Sequence, residues 1–159
     1  VNNDKRSKAI NYNHSKMSYI PLSTQGTSPF EKLLGHAPEI LNNWSKLENA
    51  FFQSNTFEPD FLEQIRRALA FDNLCLYCME KAGRPDHRPE DMRLSEALRF
   101  ANIFAIDHKA INEKDMDQLK QYFSPSEISE LISYCSFISA SQRFGAVLGL
   151  QPASAYEQK

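Results

Sequence analysis

The chain has 159 residues, the length of one ordinary domain, and at that size folding buries roughly two thirds of the unfolded chain's surface, so no staples are required for it to fold. A formal net charge of -2 provides no global attraction to polyanions, so neither nucleic acid nor a membrane surface is an expected partner. No apolar run approaches the about 18 residues needed to cross a bilayer, and no apolar signal-peptide core opens the chain, so the expected location is cytoplasmic.

Residues 1–28 are expected to form an extended N-terminal arm. The opening VNNDKRSKAINYNHSK is polar without an apolar period, and Met17, which begins MSYIPL, suits a natural start. From residue 29 to 159 the chain reads as one helical domain. APEILNNWSKLENAFFQ sets Ile40, Leu41, Trp44, Leu47 and Phe51 on one stripe, with Pro38 in the first turn. EPDFLEQIRRALAF repeats the pattern, with Pro59 early and Phe61, Leu62, Ile65, Ala68 and Leu69 facing inward, and should end near Asp72. LSEALRFANIFAI places Leu94, Ala97, Leu98, Ala101 and Phe104 on one side, and NEKDMDQLKQYF continues with Met116, Leu119, Tyr122 and Phe123. The SPSE at 124–127 matches a capping box and opens the longest helix, which runs to Gly149. Along it Ser129, Ser133, Ser136 and Ala140 form a stripe of small residues that lets a neighbouring helix approach closely. No segment alternates for long with period two, so the fold class is all-α, a compact helical bundle.

CLYCMEKAG, residues 75–83, carries the chemistry. With three cysteines and one left over, a secreted disulfide framework is disfavoured, and a CxxC is read first as redox or metal chemistry. Residues at i and i+3 on a helix share a face about 5–6 Å apart, within the Cα separation a disulfide tolerates, so Cys75 and Cys78 can open and close without refolding. If the helix restarts with Asn73 as its N-cap, Cys75 sits in the first turn, where unpaired N–H groups stabilise a thiolate. Two alternatives stand beside this: a structural pair of buried thiols, and a zinc site. Zinc wants four ligands, and His87, His108 and Cys135 lie at spacings that match no common zinc module. Neither metal nor cofactor is therefore expected, and Cys135, on the apolar face of the long helix, is expected in the core.

Glu63 stands twelve residues before Cys75 on the preceding helix. One reading makes it a surface carboxylate paired with Arg66 or Arg67 at i+3 and i+4. The other makes it a partner of the thiols, which requires the chain to turn back near Asp72, because steps of about 100° on a continuous helix leave the two on different faces. Asp72 and Asn73 supply a corner.

Glu63, eleven intervening residues, then Cys75-Leu-Tyr-Cys78 resembles the signature of the alkylhydroperoxidase AhpD-like fold, in the peroxidase-related branch of the carboxymuconolactone decarboxylase family. GHAPEILNNWSKLENAFF, LSEALRFANIFA and FSPSEISELISYCSFISASQRFGAVLGLQP are similar as well, so the resemblance covers about residue 29 to 152. It implies an all-helical subunit of a homo-oligomer, trimer or hexamer, whose dithiol reduces a small-molecule peroxide and is recharged by a thiol or dithiol reductant. The implied site residues are Cys78, Cys75, Glu63 and Tyr77. One departure stands out: the family's His four residues after the second cysteine is Ala82 here, so the proton relay is incomplete or rebuilt. Tyr77, where those peroxidases often carry another His, can hydrogen-bond but is a weak base near neutral pH. His87, in GRPDHRPED, is either a loop histidine or folds back toward the site.

The resemblance makes Cys78 the peroxidatic nucleophile and Cys75 the resolving, more exposed thiol, whereas helix-end electrostatics favour Cys75; the family's assignment is followed. In the implied mechanism Glu63 acts as base through water or Tyr77, the Cys78 thiolate attacks the peroxide, and the sulfenic acid condenses with Cys75. Loss of the His leaves a different function in view, a thiol-disulfide exchange adaptor or redox-sensing oligomer without peroxidase turnover. An oligomeric scaffold with inert thiols is the third.

Overall fold

The computed structural model describes residues 17–155, and the expectations for residues 1–16 lie outside them. Proline marks where four helices begin: α1 (Pro29–Leu34), α2 (Pro38–Gln53), α3 (Pro59–Asp72) and α7 (Pro125–Val147) each carry it in the first turn, where a missing N–H has no helical partner to lose. Ser28 and Ser124 close reciprocal capping boxes with Glu31 and Glu127. Between α3 and α7 lie α4 (Leu76–Ala82), α5 (Met92–Asp107) and α6 (Glu113–Leu119), the last two capped by Asp91 and Asn112. These seven α-helices, with short 3₁₀ turns and no strand among the described residues, make the fold all-α.

The central element is α3, which packs against α4, α5 and α7. Its Leu62, Ile65 and Leu69 are fully buried, each worth about 1.5–3 kcal/mol of apolar transfer, while Phe61 and Ala68 are only half-buried. Ala97, Phe100 and Ala101 of α5 and Leu131, Tyr134, Cys135 and Ile138 of α7 complete the core. Cys135 sits there as expected, and burial pushes its thiol up to about 12. One buried charge was not foreseen: Glu96, 5% exposed, is gripped by the Arg99 guanidinium and by Gln118.

On α2 the predicted inward stripe is only partly inward. Phe51 is buried and Trp44 half-buried, but Ile40 and Leu47 are 52% and 49% exposed. Beyond α1, α2 leans on α7, where the Trp44 and Phe51 rings meet Phe137 at 5.3 and 5.6 Å and the Phe51 and Phe52 rings meet Tyr134 at 5.2 and 6.4 Å. The helix predicted through Phe123 stops at Leu119, and the buried Phe123 ring instead meets Phe57 at 6.0 Å from the turn that follows. Residues 17–28 form no helix and are tied to the end of the chain: Tyr19 N–H donates to the Leu148 carbonyl at 2.8 Å and Gln151 N–H to the Met17 carbonyl at 2.9 Å. Ser129, Ser133, Ser136 and Ala140 are exposed, and the Ser133 and Ser136 hydroxyls donate back to the carbonyls of Ser129 and Ile132, which leaves a smooth surface. No helix among the described residues is long and apolar enough to cross a membrane.

Candidate active site

The thiols are positioned by a corner. Asn73 is the C-cap of α3, its N–H donating to the Leu69 carbonyl at 2.8 Å; Leu74 takes a left-handed φ of 54°, and Cys75 becomes the N-cap of α4. This corrects the expectation of Asn73 as N-cap: the reversal consumes Asn73 and Leu74 before a helix can restart. The corner is held from the side. Asn73 Nδ2 donates to Ser139 Oγ at 3.1 Å and to Gln142 Oε1 at 3.0 Å, and Asn73 Oδ1 accepts from Arg143 Nε at 2.9 Å. Arg143 also donates to the Ala105 carbonyl at 3.1 Å, which ties in α5. Asn73 emerged from the sequence as part of the corner, but its partners Ser139, Gln142 and Arg143 did not; the available signal was polar Ser139 and Gln142 on the buried face of α7.

Cys75 and Cys78 are joined in a disulfide with their Cα atoms 5.1 Å apart, as their spacing allows. The Cys78 N–H lies 3.3 Å from Cys75 Sγ and donates to it. The expected order of exposure is reversed: Cys75 is 0% and Cys78 9% exposed. Cys75 lies behind α7, where Gly145 leaves room; a Cβ there would stand 3.4 Å from Cys75 Sγ.

Cys78 lines a cavity of ≈ 120 Å³ roofed by α1, α2 and α7. Tyr77 and Lys81 of α4 and Arg66 of α3 share its wall, with Glu31 of α1 and Glu48 of α2 opposite. Phe30, Trp44 and Ile138 supply an apolar part. Burial pushes the Tyr77 hydroxyl upward, and a hydrogen bond with Ser28 and the Arg66 charge offset this only in part, so Tyr77 stays a protonated donor at neutral pH. Lys81 Nζ rides 5.9 Å from the centre of the Tyr77 ring.

Glu63 is not on that wall. Arg66 Nε donates to its Oε2 and the Arg66 terminal nitrogen to its Oε1, both at 2.8 Å, and Arg67 Nε adds a bond at 3.1 Å. Burial pushes the Glu63 carboxyl up, but the hydrogen bonds and charges of both arginines outweigh it, and the net shift is down. Of its two partners, Arg66 is the one that lines the cavity with Cys78. His87 does not fold back: it lines a separate cavity of ≈ 380 Å³ with Asp72, Ser95 and Asn102, while Ala82 is buried. No cluster of three or more His, Cys, Asp or Glu among the described residues could hold a metal ion.

No protein-family model and no curated protein matches the sequence. Solved structures do match in fold. An uncharacterized peroxidase-related protein from Silicibacter sp. TM1040 aligns with a TM-score of 0.68 at 17% identity, covering 81% of this chain and 78% of its own. The alkylhydroperoxidase AhpD core of an uncharacterized peroxidase-related protein from Ralstonia eutropha JMP134 aligns with a TM-score of 0.63 at 19% identity, covering 78% and 76%. At such identities the likeness is one of architecture, and what it establishes is that the chain has the AhpD-like helical fold.

Proposed function

We propose that the protein is a peroxidase that reduces organic hydroperoxides through Cys78 and Cys75. The observation that carries this reading is the placement of Cys78 on a cavity wall with Cys75 buried behind it, within disulfide reach. In the reduced protein the Arg66 and Lys81 cations beside the cavity favour a Cys78 thiolate. That thiolate attacks the terminal peroxide oxygen; an S–O bond forms, the O–O bond breaks, and the departing alkoxide takes a proton to become an alcohol. The Cys75 thiol then attacks the sulfenic sulfur, expels water and closes the disulfide. An external thiol or dithiol supplies two electrons, entering by exchange at Cys78, the sulfur that the cavity reaches. Tyr77 donates a hydrogen bond toward the bound peroxide, and Glu63 holds Arg66 at the wall. Phe30, Trp44 and Ile138 suit the organic part of the substrate. The exposed stripe of α7 fits a homo-oligomer, trimer or hexamer, and a cycle that ends in thiol exchange fits the reducing cytoplasm.

A second reading, disulfide exchange without peroxide turnover, is favoured by one observation: no histidine lines the cavity, with Ala82 buried where the family relay has its His. Peroxide-dependent consumption of a dithiol separates the two. Turnover that is lost in Cys78→Ser supports the peroxidase; exchange with a donor dithiol but no peroxide-dependent consumption supports the adaptor.

A further inference from the structure

A thiol peroxidase needs a group that takes the proton of the attacking thiol and returns it to the leaving oxygen, because an alkoxide is a poor leaving group. Glu63 is badly placed for this, being closed by Arg66 and Arg67 and absent from the cavity wall. Glu31 is on the wall, but its carboxylate accepts from the Thr27 hydroxyl and from the Thr27 and Ser28 N–H groups, and the Thr27 bond above all brings its carboxyl down to about 2. Glu48 remains. It projects from α2 onto the same ≈ 120 Å³ cavity as Cys78, it is exposed, and no hydrogen bond or ion pair engages it among the described residues.

We propose that Glu48 is the proton carrier of Cys78, working through water in the open cavity and filling the role that Ala82 leaves empty. The inference rests on the peroxidase reading. The Glu48 carboxylate accepts the Cys78 thiol proton by way of water. The thiolate attacks the terminal oxygen of ROOH, the S–OH bond forms, and the electron pair of the broken O–O bond leaves with RO⁻. The proton on Glu48 then converts RO⁻ to ROH, so Glu48 returns to carboxylate and one thiol plus one hydroperoxide have become one sulfenic acid plus one alcohol. The charged and titratable groups facing Glu48 are Glu31 on α1, Arg66 on α3, Tyr77 and Lys81 on α4, and Tyr134 on α7, whose hydroxyl burial keeps protonated at neutral pH; on the cavity wall itself α7 presents uncharged Ile138, Ser141 and Gln142. The two cations temper the repulsion between a carboxylate and a nearby thiolate.

The test compares Glu48 with Glu48→Gln, both in a Cys75→Ser background so that Cys78 is the one accessible thiol. Two reagents are used across pH: iodoacetamide, whose leaving group needs no proton, and tert-butyl hydroperoxide, whose leaving group does. Removing the carboxylate should move the alkylation profile to lower pH, because a neighbouring negative charge no longer opposes the thiolate. The peroxide reaction should instead slow by about 10²-fold at neutral pH, the usual loss when a general acid-base group is removed. A merely structural Glu48 gives Glu48→Gln profiles that overlay those of the Cys75→Ser parent with both reagents, and that result overturns the assignment while the peroxidase reading stands. If the parent protein is itself inert toward peroxide, the peroxidase reading fails and the Glu48 step fails with it.

Discussion

Asn73 and Gln142 meet side chain to side chain, with Asn73 Nδ2 donating to Gln142 Oε1 at 3.0 Å, while Gln142 Nε2 donates to the Arg66 carbonyl at 2.9 Å. One glutamine thus ties the corner before Cys75 to the helical turn that carries a cavity cation. Asn73→Ala strips partners from Ser139, Gln142 and Arg143 at once. The expected cost is about 1–3 kcal/mol, the penalty for buried polar groups left unsatisfied. Thermal melts should show it as a drop of several degrees, together with slower closure of the disulfide in the reduced variant. An unchanged melting temperature would show that the corner holds without this side chain.

Oxidation should be confined to one pair of thiols. Mass spectrometry of the oxidised protein is expected to find two hydrogens missing from a peptide that contains both Cys75 and Cys78. Cys135, buried and with its thiol pushed up to about 12, should stay reduced and resist alkylation until the protein unfolds. A bridge that includes Cys135 would contradict the arrangement.

Helix starts were legible because their chemistry is local: Pro38, Pro59 and the Ser124 capping box act within one turn, and helices begin there. Burial was less legible. Ile40 and Leu47 satisfy the same period as Phe51, but whether a stripe is covered depends on which helix lies opposite, and that is a tertiary fact. The restart at Cys75 was misplaced by two residues because the left-handed turn falls on Leu74, where no glycine announces it. Both readings of Glu63 were visible in its spacing to Arg66, Arg67 and Cys75, and the side-chain geometry realises the arginine pairing. Glu48 left no local trace, since its relation to Cys78 exists only once α2 has folded over α4.

The Glu63 pairing should be readable as a pH dependence. Its folded carboxyl lies below the ordinary 4.5, so it contributes stability above that value, and the contribution is lost as pH falls through the lowered folded value. Glu63→Gln should therefore melt below wild type at neutral pH, by no more than about 1 kcal/mol for a partly exposed pair, with the two curves converging in acid. In the proposed function Glu63 only holds Arg66 at the wall, so the substitution should slow the peroxide step less than Glu48→Gln does. A gap in stability that persists unchanged to low pH would rule out the ionic origin.

Self-association should depend on the smooth face of α7. Light scattering at micromolar concentration is expected to give a mass of several chains, and Ser136→Arg or Ala140→Arg should shift it toward the monomer, because both positions are exposed in the single chain and a bulky charge there costs the fold little. A wild type that stays monomeric would count against the assembly.

The proposed chemistry comes down to whether Cys78 takes oxygen from a peroxide. In reduced Cys75→Ser the resolving thiol is gone, so treatment with tert-butyl hydroperoxide in the presence of dimedone should leave a single sulfenic-acid adduct, mapped by mass spectrometry to Cys78, while Cys78→Ser gives none. An adduct on Cys75 in the Cys78→Ser protein, or unconsumed peroxide and an unmodified Cys78 in Cys75→Ser, would contradict the account.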